Sequence, residues 1–311
     1  MSIYLKVTNR CNIRCPHCFI SDYSGDMPLD VVQKTAERFP SGNVIFHGGE
    51  PTLIGIEKTR EIISVFGRRD LIMQTNLLTD IIPWVPLLKE HFSSSIGTSF
   101  DTGRVPHIGR WLSNVLFLSG EGIKVTATIT VTDEMAEKAL YKYISMFQDH
   151  GGFGFYIQFV TPIKTSPVNM ETYSRIYKNL YSHPMNLTSK RLCGSVHTGC
   201  ASLGVNGGNC AKNGVRTVDS DGTVYICPDF AGQKIFPIGN IFDNAFDDSI
   251  ENPNNSIFYE REKNMIIACD EECWRLCNGG CVSFTYFSGK NTFLDRDPFC
   301  SAYKEFFAHA S

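Results

Sequence analysis

Three cysteines fall within eight residues near the start of the chain, in the segment Cys11-Asn12-Ile13-Arg14-Cys15-Pro16-His17-Cys18. An apolar run at residues 3–7 precedes them and predicts a strand, so the thiols should lie on the loop that follows it. Three thiolates on one loop can hold three irons of a [4Fe–4S] cluster, whereas a cluster that only stores electrons takes four. The fourth iron would stay open for a substrate or cofactor. A zinc knuckle or a group of buried thiols is the alternative interpretation.

Two further motifs follow predicted strands. His47-Gly48-Gly49-Glu50-Pro51 ends the apolar run 44–46, and Gln74-Thr75-Asn76 ends the run 71–73. Glycine lets a backbone approach a ligand closely, and a strand ends at a proline. A fourth predicted strand ends in Ser99-Phe100-Asp101. In parallel α/β sheets ligands bind at the carboxyl ends of the strands, where all of these segments fall.

These motifs resemble those of radical S-adenosylmethionine (SAM) enzymes, which carry CxxxCxxC, GGEP and QTN after the first, second and third strands. The resemblance implies that Cys11, Cys15 and Cys18 hold a [4Fe–4S] cluster and that SAM chelates its open iron. Reduction of the cluster would cleave SAM to methionine and a 5′-deoxyadenosyl radical, which abstracts a hydrogen atom from the substrate. The implied SAM contacts are His17, Gly48, Gly49, Glu50, Pro51, Gln74, Asn76, Ser99 and Asp101.

Composition excludes several classes of protein. The 311 residues carry a net charge of −3 and show no basic patch, so nucleic acid is not an expected partner. No apolar run approaches the roughly 20 residues that span a bilayer, and the first residues lack the basic, apolar and small-residue order of a signal peptide, so none is expected. We therefore expect a cytoplasmic protein without a membrane segment. Twelve cysteines in a reducing compartment indicate metal ligation rather than disulfides.

The pattern of apolar runs predicts an α/β fold, a partial (β/α)6 barrel. Strands are predicted at 3–8, 44–47, 71–75, 95–100, 124–131 and 155–160, and helices at 29–39, 56–66, 81–91, 108–120, 133–150 and 170–181. Six alternating units are fewer than the eight of a closed barrel. Prolines and an irregular glycine-rich segment place a domain boundary near residue 190, with a barrel at 1–190 and a cysteine-rich domain at 191–311.

Nine cysteines lie in the second part of the chain, and Asp219-Ser220-Asp221-Gly222 predicts a hairpin turn between runs at 215–218 and 223–226. One or two structural zinc sites are one interpretation. The segment also resembles a SPASM domain, which holds two auxiliary [4Fe–4S] clusters and brings the total to three. That resemblance implies Cys200, Cys210, Cys227 and Cys281 as ligands of the first auxiliary cluster, and Cys269, Cys273, Cys277 and Cys300 as ligands of the second. The even spacing of 269, 273 and 277 departs from the family pattern.

One cysteine is left over, because three clusters take eleven thiols. Cys193 and Cys200 compete for the first auxiliary cluster, and Cys200 is preferred because it is nearer to Cys210. The remaining thiol is either an inert buried residue or a hydrogen-atom donor that inverts a substrate stereocentre.

Acid–base candidates are few. Sulfatase-maturing relatives carry an aspartate directly after the cysteine that matches Cys227, whereas here Pro228 intervenes and Asp229 follows. Asp229 is therefore a candidate base or a turn cap. Arg104, His107 and His197 are candidate substrate contacts or ordinary surface residues. Thr126, Thr128 and Thr130 alternate along the fifth strand and could line a cavity or face solvent.

The resemblance implies a SAM-cleaving oxidoreductase or maturase that modifies a peptide by cross-linking, oxidation or epimerisation. The alternatives are oxidation or epimerisation of a small molecule such as an aminoglycoside-type sugar, and a non-catalytic electron-transfer protein. A flavodoxin or ferredoxin is the expected electron donor.

Overall fold

A computed structural model describes most of the predicted barrel and the central part of the cysteine-rich segment. The described residues are 1–92, 96–132, 137–150, 154–159, 161, 163–164, 171–172, 175–176, 214–249, 251–268, 280–290, 292, 294–298 and 300–301.

Six parallel strands form the first part of the sheet, in the spatial order β6-β5-β4-β3-β2-β1. They are β1 (Ser2–Thr8), β2 (Asn43–Gly48), β3 (Leu71–Gln74), β4 (Ile96–Phe100), β5 (Val125–Val131) and β6 (Gly154–Phe159). The predicted open (β/α)6 arrangement is confirmed, and each strand end lies within one residue of its prediction. Parallel strands require crossover connections, so all six carboxyl ends meet at one edge of the sheet.

Five helices connect these strands: α1 (Leu29–Arg38), α2 (Ile56–Phe66), α3 (Val85–His91), α4 (Ile108–Gly120) and α5 (Glu137–His150). A 3₁₀ turn, Ile82–Trp84, replaces the predicted start of α3, where Pro83 and Pro86 fit only the first turn of a helix. Most of the helix predicted at 170–181 lies outside the described residues. None of the described helices is long and apolar enough to cross a membrane.

The helices cover the sheet through aromatic and aliphatic contacts. Trp111 of α4 and Phe147 of α5 are fully buried, with ring centroids 5.1 and 5.2 Å from that of Phe100 at the end of β4. The Trp111 indole donates to the Thr98 hydroxyl at 3.1 Å. Buried aromatic pairs of this kind stabilise beyond their buried area, so the end of β4 is firmly held beside the sheet edge that carries the motifs.

The carboxyl-terminal hairpin extends the same sheet. Strands β7 (Val215–Val218) and β8 (Thr223–Tyr225) are antiparallel, which confirms the predicted hairpin, and β9 (Gly239–Asn240) pairs with β8. β7 pairs in parallel with β1, so the hairpin continues the barrel sheet. In the described residues beyond the hairpin, three further α-helices follow: α6 (Pro228–Gln233), α7 (Pro253–Ala268) and α8 (Val282–Thr285). The division near residue 190 stays a prediction.

A buried ion pair joins the hairpin to the first strand. Lys6, inside β1, and Asp219, directly after β7, have side chains that are each 2% exposed, and Lys6 Nζ lies 2.9 Å from Asp219 Oδ2. Removing one partner of such a pair leaves an uncompensated charge in the interior. The ion pair therefore fixes the hairpin, and the residues that follow it, against the barrel.

We expect Lys6→Met to lower the free energy of unfolding by about 3–5 kcal/mol, because Asp219 would be left buried without its counter-ion. The exposed pair Lys89–Glu121, at 2.7 Å, supplies a matched control, and Lys89→Met should cost about 1 kcal/mol or less. Urea unfolding followed by circular dichroism measures both. Equal losses in the two variants would contradict a special role for the buried pair.

Candidate active site

A cavity of about 260 Å³ opens at the edge where the parallel strands end. Its wall brings together most of the predicted cofactor-binding residues, namely Cys11, Cys15, His17, Cys18, Gly48, Gly49, Gln74, Asn76, Ser99 and Asp101. Thr128 and Thr130 of β5 also line it, as one interpretation of the threonine pattern predicted. These residues come from five separate segments, which therefore converge on one volume.

The three cysteines of the loop, Cys11, Cys15 and Cys18, all line this cavity. Burial raises the pKa of Cys11, and burial followed by the negative charge of Asp101 raises the pKa of Cys15 to about 12. A charge on the Cys18 thiol raises both pKa values further, and a charge on the Cys11 thiol raises that of Cys15. A bound metal centre reverses this effect by stabilising thiolates. Three converging soft donors beside open volume fit a [4Fe–4S] cluster with one free iron.

Gly48 and Gly49 are required by the packing of the backbone. Gly49 N donates to Thr8 O and Glu50 N donates to Arg10 O, both at 2.8 Å, so the end of β2 pairs with the chain just before Cys11. A Cβ on Gly48 would lie 2.1 Å from Thr8 O, and one on Gly49 would lie 2.1 Å from Arg10 O. Gly48 also has φ +121°. The glycines thus place the cysteine loop as well as lining the cavity.

The Glu50 carboxylate is fully enclosed behind the cavity wall. It accepts hydrogen bonds from the Thr52 backbone and hydroxyl at 3.1 and 2.6 Å, from the Thr75 hydroxyl at 2.7 Å and from Asn76 N at 2.6 Å. Neither Glu50 nor the buried Pro51 lines the cavity. Glu50 therefore joins the loop after β2 to the loop after β3, and its direct contact with SAM stays a prediction.

The residues after β3 contact the cysteine loop. Asn76 Nδ2 donates to Asn12 Oδ1 at 2.7 Å and lies 3.9 Å from Cys11 Sγ. The Gln74 side chain packs on Gly97, where a Cβ would lie 2.2 Å from its amide. These contacts hold Gln74, the last residue of β3, and Asn76, two residues beyond it, at the cavity wall.

Asp101 forms the centre of a charged group at the end of β4. Its Oδ1 accepts from Gly103 N at 2.8 Å, while Oδ2 lies 3.0 Å from Arg104 Nη1, 3.8 Å from His17 Nε2 and 3.9 Å from Cys15 Sγ. Arg104 is 7% exposed and lines the cavity. Local sequence patterns do not distinguish Arg104 from a surface arginine, because its burial depends on the 3₁₀ turn Thr102–His107.

The carboxyl-terminal segment supplies another wall of the same cavity, including Cys227, Asp229, Cys281 and Ser283. Asp229 lines the cavity. Its carboxylate accepts hydrogen bonds from the Ser283 hydroxyl at 2.7 Å and from the Thr161 hydroxyl at 3.0 Å. Burial raises the pKa of Asp229, and these two hydrogen bonds oppose the rise. Cys281 Sγ lies 3.2 Å from Ser283 Oγ.

His47 is a further residue of the cavity wall. Its ring stacks on Phe19 at 5.5 Å and meets Tyr4 edge-on at 5.2 Å, and its buried Nδ1 has no hydrogen-bond partner among the described residues. Burial, followed by the positive charge of Lys6, lowers the pKa of His47 to about 4. The imidazole is therefore neutral at neutral pH.

Some predicted residues lie elsewhere. Cys300 is described but does not line the cavity; its N donates to Asp297 O at 3.0 Å, and Asp297 Oδ2 accepts from Cys281 N at 2.9 Å. His107 is exposed. Outside the described residues are Cys193, His197, Cys200, Cys210, Cys269, Cys273 and Cys277.

The geometry defines an α/β protein with an open, mainly parallel sheet and a loop of three thiols at the edge where the parallel strands end. Residues 5–142 match the family model of the Radical SAM superfamily. The protein has a radical SAM domain and is a radical SAM enzyme. The family implies SAM and a [4Fe–4S] cluster as cofactors, and Cys11, Cys15 and Cys18 are the residues that fit the cluster.

Two known enzymes are similar in sequence to this chain over nearly its full length. The chain is 24% identical to the cysteine-type anaerobic sulfatase-maturating enzyme of Clostridium novyi (strain NT), with 99% of this chain and 94% of the relative covered. The enzyme of the same name from Clostridium perfringens (strain ATCC 13124) is 25% identical, with coverages of 100% and 96%.

Two solved structures share the fold. The structure of anSMEcpe with bound AdoMet has a TM-score of 0.74 at 22% identity, covering 100% of this chain and 96% of that one. Streptococcus suis SuiB bound to the precursor peptide SuiA has a TM-score of 0.65 at 13% identity, with coverages of 96% and 75%.

Replacing Cys11, Cys15 and Cys18 together by Ala should abolish release of 5′-deoxyadenosine from SAM and dithionite, because no thiolate would hold the SAM-binding cluster. Iron analysis should show the loss of four irons per chain, the content of one [4Fe–4S] cluster. Unchanged 5′-deoxyadenosine release from the triple variant would contradict the assignment of this loop.

The neutral His47 predicts a pH dependence of stability. An unfolded histidine gains its proton near pH 6.5, whereas folded His47 gains it only near pH 4. Between these values the unfolded state binds more protons, so the free energy of unfolding should fall as the pH is lowered from about 6.5 to about 4. Urea unfolding at pH 7.5 and 5 should show a smaller fall in His47→Gln than in the wild type. Exposed His107→Gln is the control, and an equal fall in all three proteins would contradict the burial of His47.

Proposed function

We propose that this radical SAM enzyme oxidises a cysteine or serine side chain within a peptide or protein, and that Asp229 is the catalytic base. The observation that supports this proposal most strongly is the position of Asp229. A buried carboxylate lies on the wall of the cavity that also contains the three-thiol loop, so one substrate carbon could face both groups. The related sulfatase-maturating enzymes support a peptide or protein as substrate.

The reaction is a two-electron oxidation. When bound, SAM and its reduced cluster would supply a 5′-deoxyadenosyl radical, the species that removes a hydrogen atom from the carbon bearing the thiol or hydroxyl. Asp229 would accept the proton of that thiol or hydroxyl, and the remaining electron would pass to an iron–sulfur cluster held by cysteines of this chain. The product has a carbon–sulfur or carbon–oxygen double bond and has lost two hydrogens. An external donor such as flavodoxin or ferredoxin would supply the electron that starts the reaction.

The surroundings of Asp229 suit it to this role. A base must be ionised and must lie within hydrogen-bond reach of the proton it removes. Ser283 and Thr161 each donate to Oδ2, which stabilises the carboxylate and holds it on the cavity wall. The intervening Pro228 begins α6, and Asp229 in its first turn still reaches the cavity. The one-residue departure from the relatives' pattern is thus compatible with the same role.

The electron acceptor in this proposal is an auxiliary [4Fe–4S] cluster held partly by Cys227 and Cys281. Both thiols line the cavity, so the cluster would lie next to the oxidised substrate. The other proposed ligands are Cys200 and Cys210. We also propose that the cysteine-rich segment 191–311 is a SPASM domain, with Cys269, Cys273, Cys277 and Cys300 on a second auxiliary cluster.

The proposal is tested by incubating the cluster-loaded enzyme with SAM, dithionite and short peptides that contain cysteine, serine or alanine at one position. We expect 5′-deoxyadenosine release and a mass loss of two hydrogens with cysteine or serine peptides. The alanine peptides should stay unchanged. Modification of sugars but no peptide would contradict the proposed substrate class, and an unchanged mass with an inverted stereocentre would contradict oxidation.

Asp229→Asn should still release 5′-deoxyadenosine with an accepted peptide but should form about 10²–10⁴-fold less oxidised product, because the amide cannot take up the proton. The ratio of 5′-deoxyadenosine to product should rise accordingly. Asp221→Asn, an exposed residue of the hairpin turn, is the matched control and should behave as wild type. Equal product from Asp229→Asn and wild type would exclude Asp229 as the base.

A further inference from the structure

Ser283 lies between two groups that have separate roles in the proposed reaction. Its Oγ donates to Asp229 Oδ2 at 2.7 Å and lies 3.2 Å from Cys281 Sγ. Ser283 is 1% exposed, and it lines the cavity together with Asp229 and Cys281. A hydroxyl has a single hydrogen to donate, so Ser283 can serve only one of these two acceptors at a time.

The backbone around Cys281 holds the sulfur next to this hydroxyl. Cys281 N donates to Oδ2 of the buried Asp297 at 2.9 Å, and Cys281 O accepts from the Thr285 backbone and hydroxyl at 3.0 and 2.9 Å. The preceding residue must be glycine, because a Cβ on Gly280 would lie 2.4 Å from the Asp297 Cβ. Hydrogen bonds on both sides of Cys281 therefore fix its position relative to Ser283.

The second donor to Asp229 lacks this double contact. The Thr161 hydroxyl donates to the same Oδ2 at 3.0 Å, and no described sulfur lies within hydrogen-bond distance of it. A serine hydroxyl rotates freely, so the Ser283 hydrogen can turn from Asp229 to Cys281 without displacement of a heavy atom. Asp229 would then keep its hydrogen bond from Thr161.

We propose that Ser283 is a positioning residue that couples the proposed base to the auxiliary cluster. The inference rests on the proposed function, because it takes Cys281 as a ligand of that cluster. In the oxidised state the hydroxyl donates to Asp229. Once the electron from the substrate has reached the cluster, the ligand sulfurs carry more negative charge and the hydroxyl donates to Cys281 Sγ. The hydrogen stays covalently bonded to Ser283 Oγ throughout, and only its acceptor changes.

This change of acceptor should raise the reduction potential of the cluster. Hydrogen bonds to the sulfurs are among the features that set the potential of an iron–sulfur cluster. A hydrogen bond that forms on reduction stabilises the reduced state, so Ser283 should make the cluster a better acceptor for the electron of the substrate. A serine that only held Asp229 in place would have no effect on this potential.

The test is a redox titration of the full-length, cluster-loaded enzyme, without SAM or peptide, followed by electron paramagnetic resonance. Ser283→Ala should lower the potential of one auxiliary cluster by about 60 mV, which corresponds to about a tenfold change in a one-electron equilibrium. Ser283→Thr keeps the hydroxyl and should have the wild-type potential. Thr161→Val, the matched control, removes the other donor to Asp229 and should leave the potential unchanged. Cys281→Ser should remove or alter the resonance signal of the same cluster.

An unchanged potential in Ser283→Ala, with an altered signal in Cys281→Ser, would overturn this inference and leave the proposed function intact. Equal shifts in Ser283→Ala and Thr161→Val would also overturn it, because the effect would then come through Asp229. Loss of four irons from Ser283→Ala would show a purely structural role, with the same result. Unaltered signals in Cys281→Ser would contradict the ligand assignment in the proposed function, and the inference would fall with it.

Discussion

The candidate active site depends on the carboxyl group of Glu50, which has no access to solvent. A buried carboxyl group is costly unless its oxygens accept hydrogen bonds, and both oxygens of Glu50 do so, from Thr52, Thr75 and the backbone of Asn76. These bonds fix the loops after β2 and β3 relative to each other. Asn76 then reaches Asn12 and the edge of Cys11, so the position of the cysteine loop follows from the same network.

Much of this arrangement could be predicted from the sequence. Apolar runs located all six parallel strands, and the Asp219–Gly222 turn located the hairpin. Local patterns could not show that β7 pairs with β1, because strand pairing across more than 200 residues depends on tertiary contacts. A lysine inside the apolar strand β1 was a signal of a buried partner, but nothing local pointed to Asp219.

The candidate site could be predicted only in part, because its remaining features also depend on tertiary contacts. The predicted strand ends placed the three-thiol loop, Gly48, Gly49 and Asp101 at one edge of the sheet. The roles of Glu50 and Arg104 depend on which side chains enclose them, and that is a property of the packed structure. Asp229 was singled out by resemblance alone; its contacts with Thr161 and Ser283 place it on the cavity wall through two segments distant in sequence.

In the proposed reaction, one cavity holds SAM beside the carbon that is oxidised. The most direct measurement uses an accepted peptide that carries deuterium on the carbon next to its thiol or hydroxyl. Mass spectrometry of the released 5′-deoxyadenosine should then show one deuterium, transferred from the peptide in a single abstraction. Oxidised peptide together with unlabelled 5′-deoxyadenosine would contradict the claim.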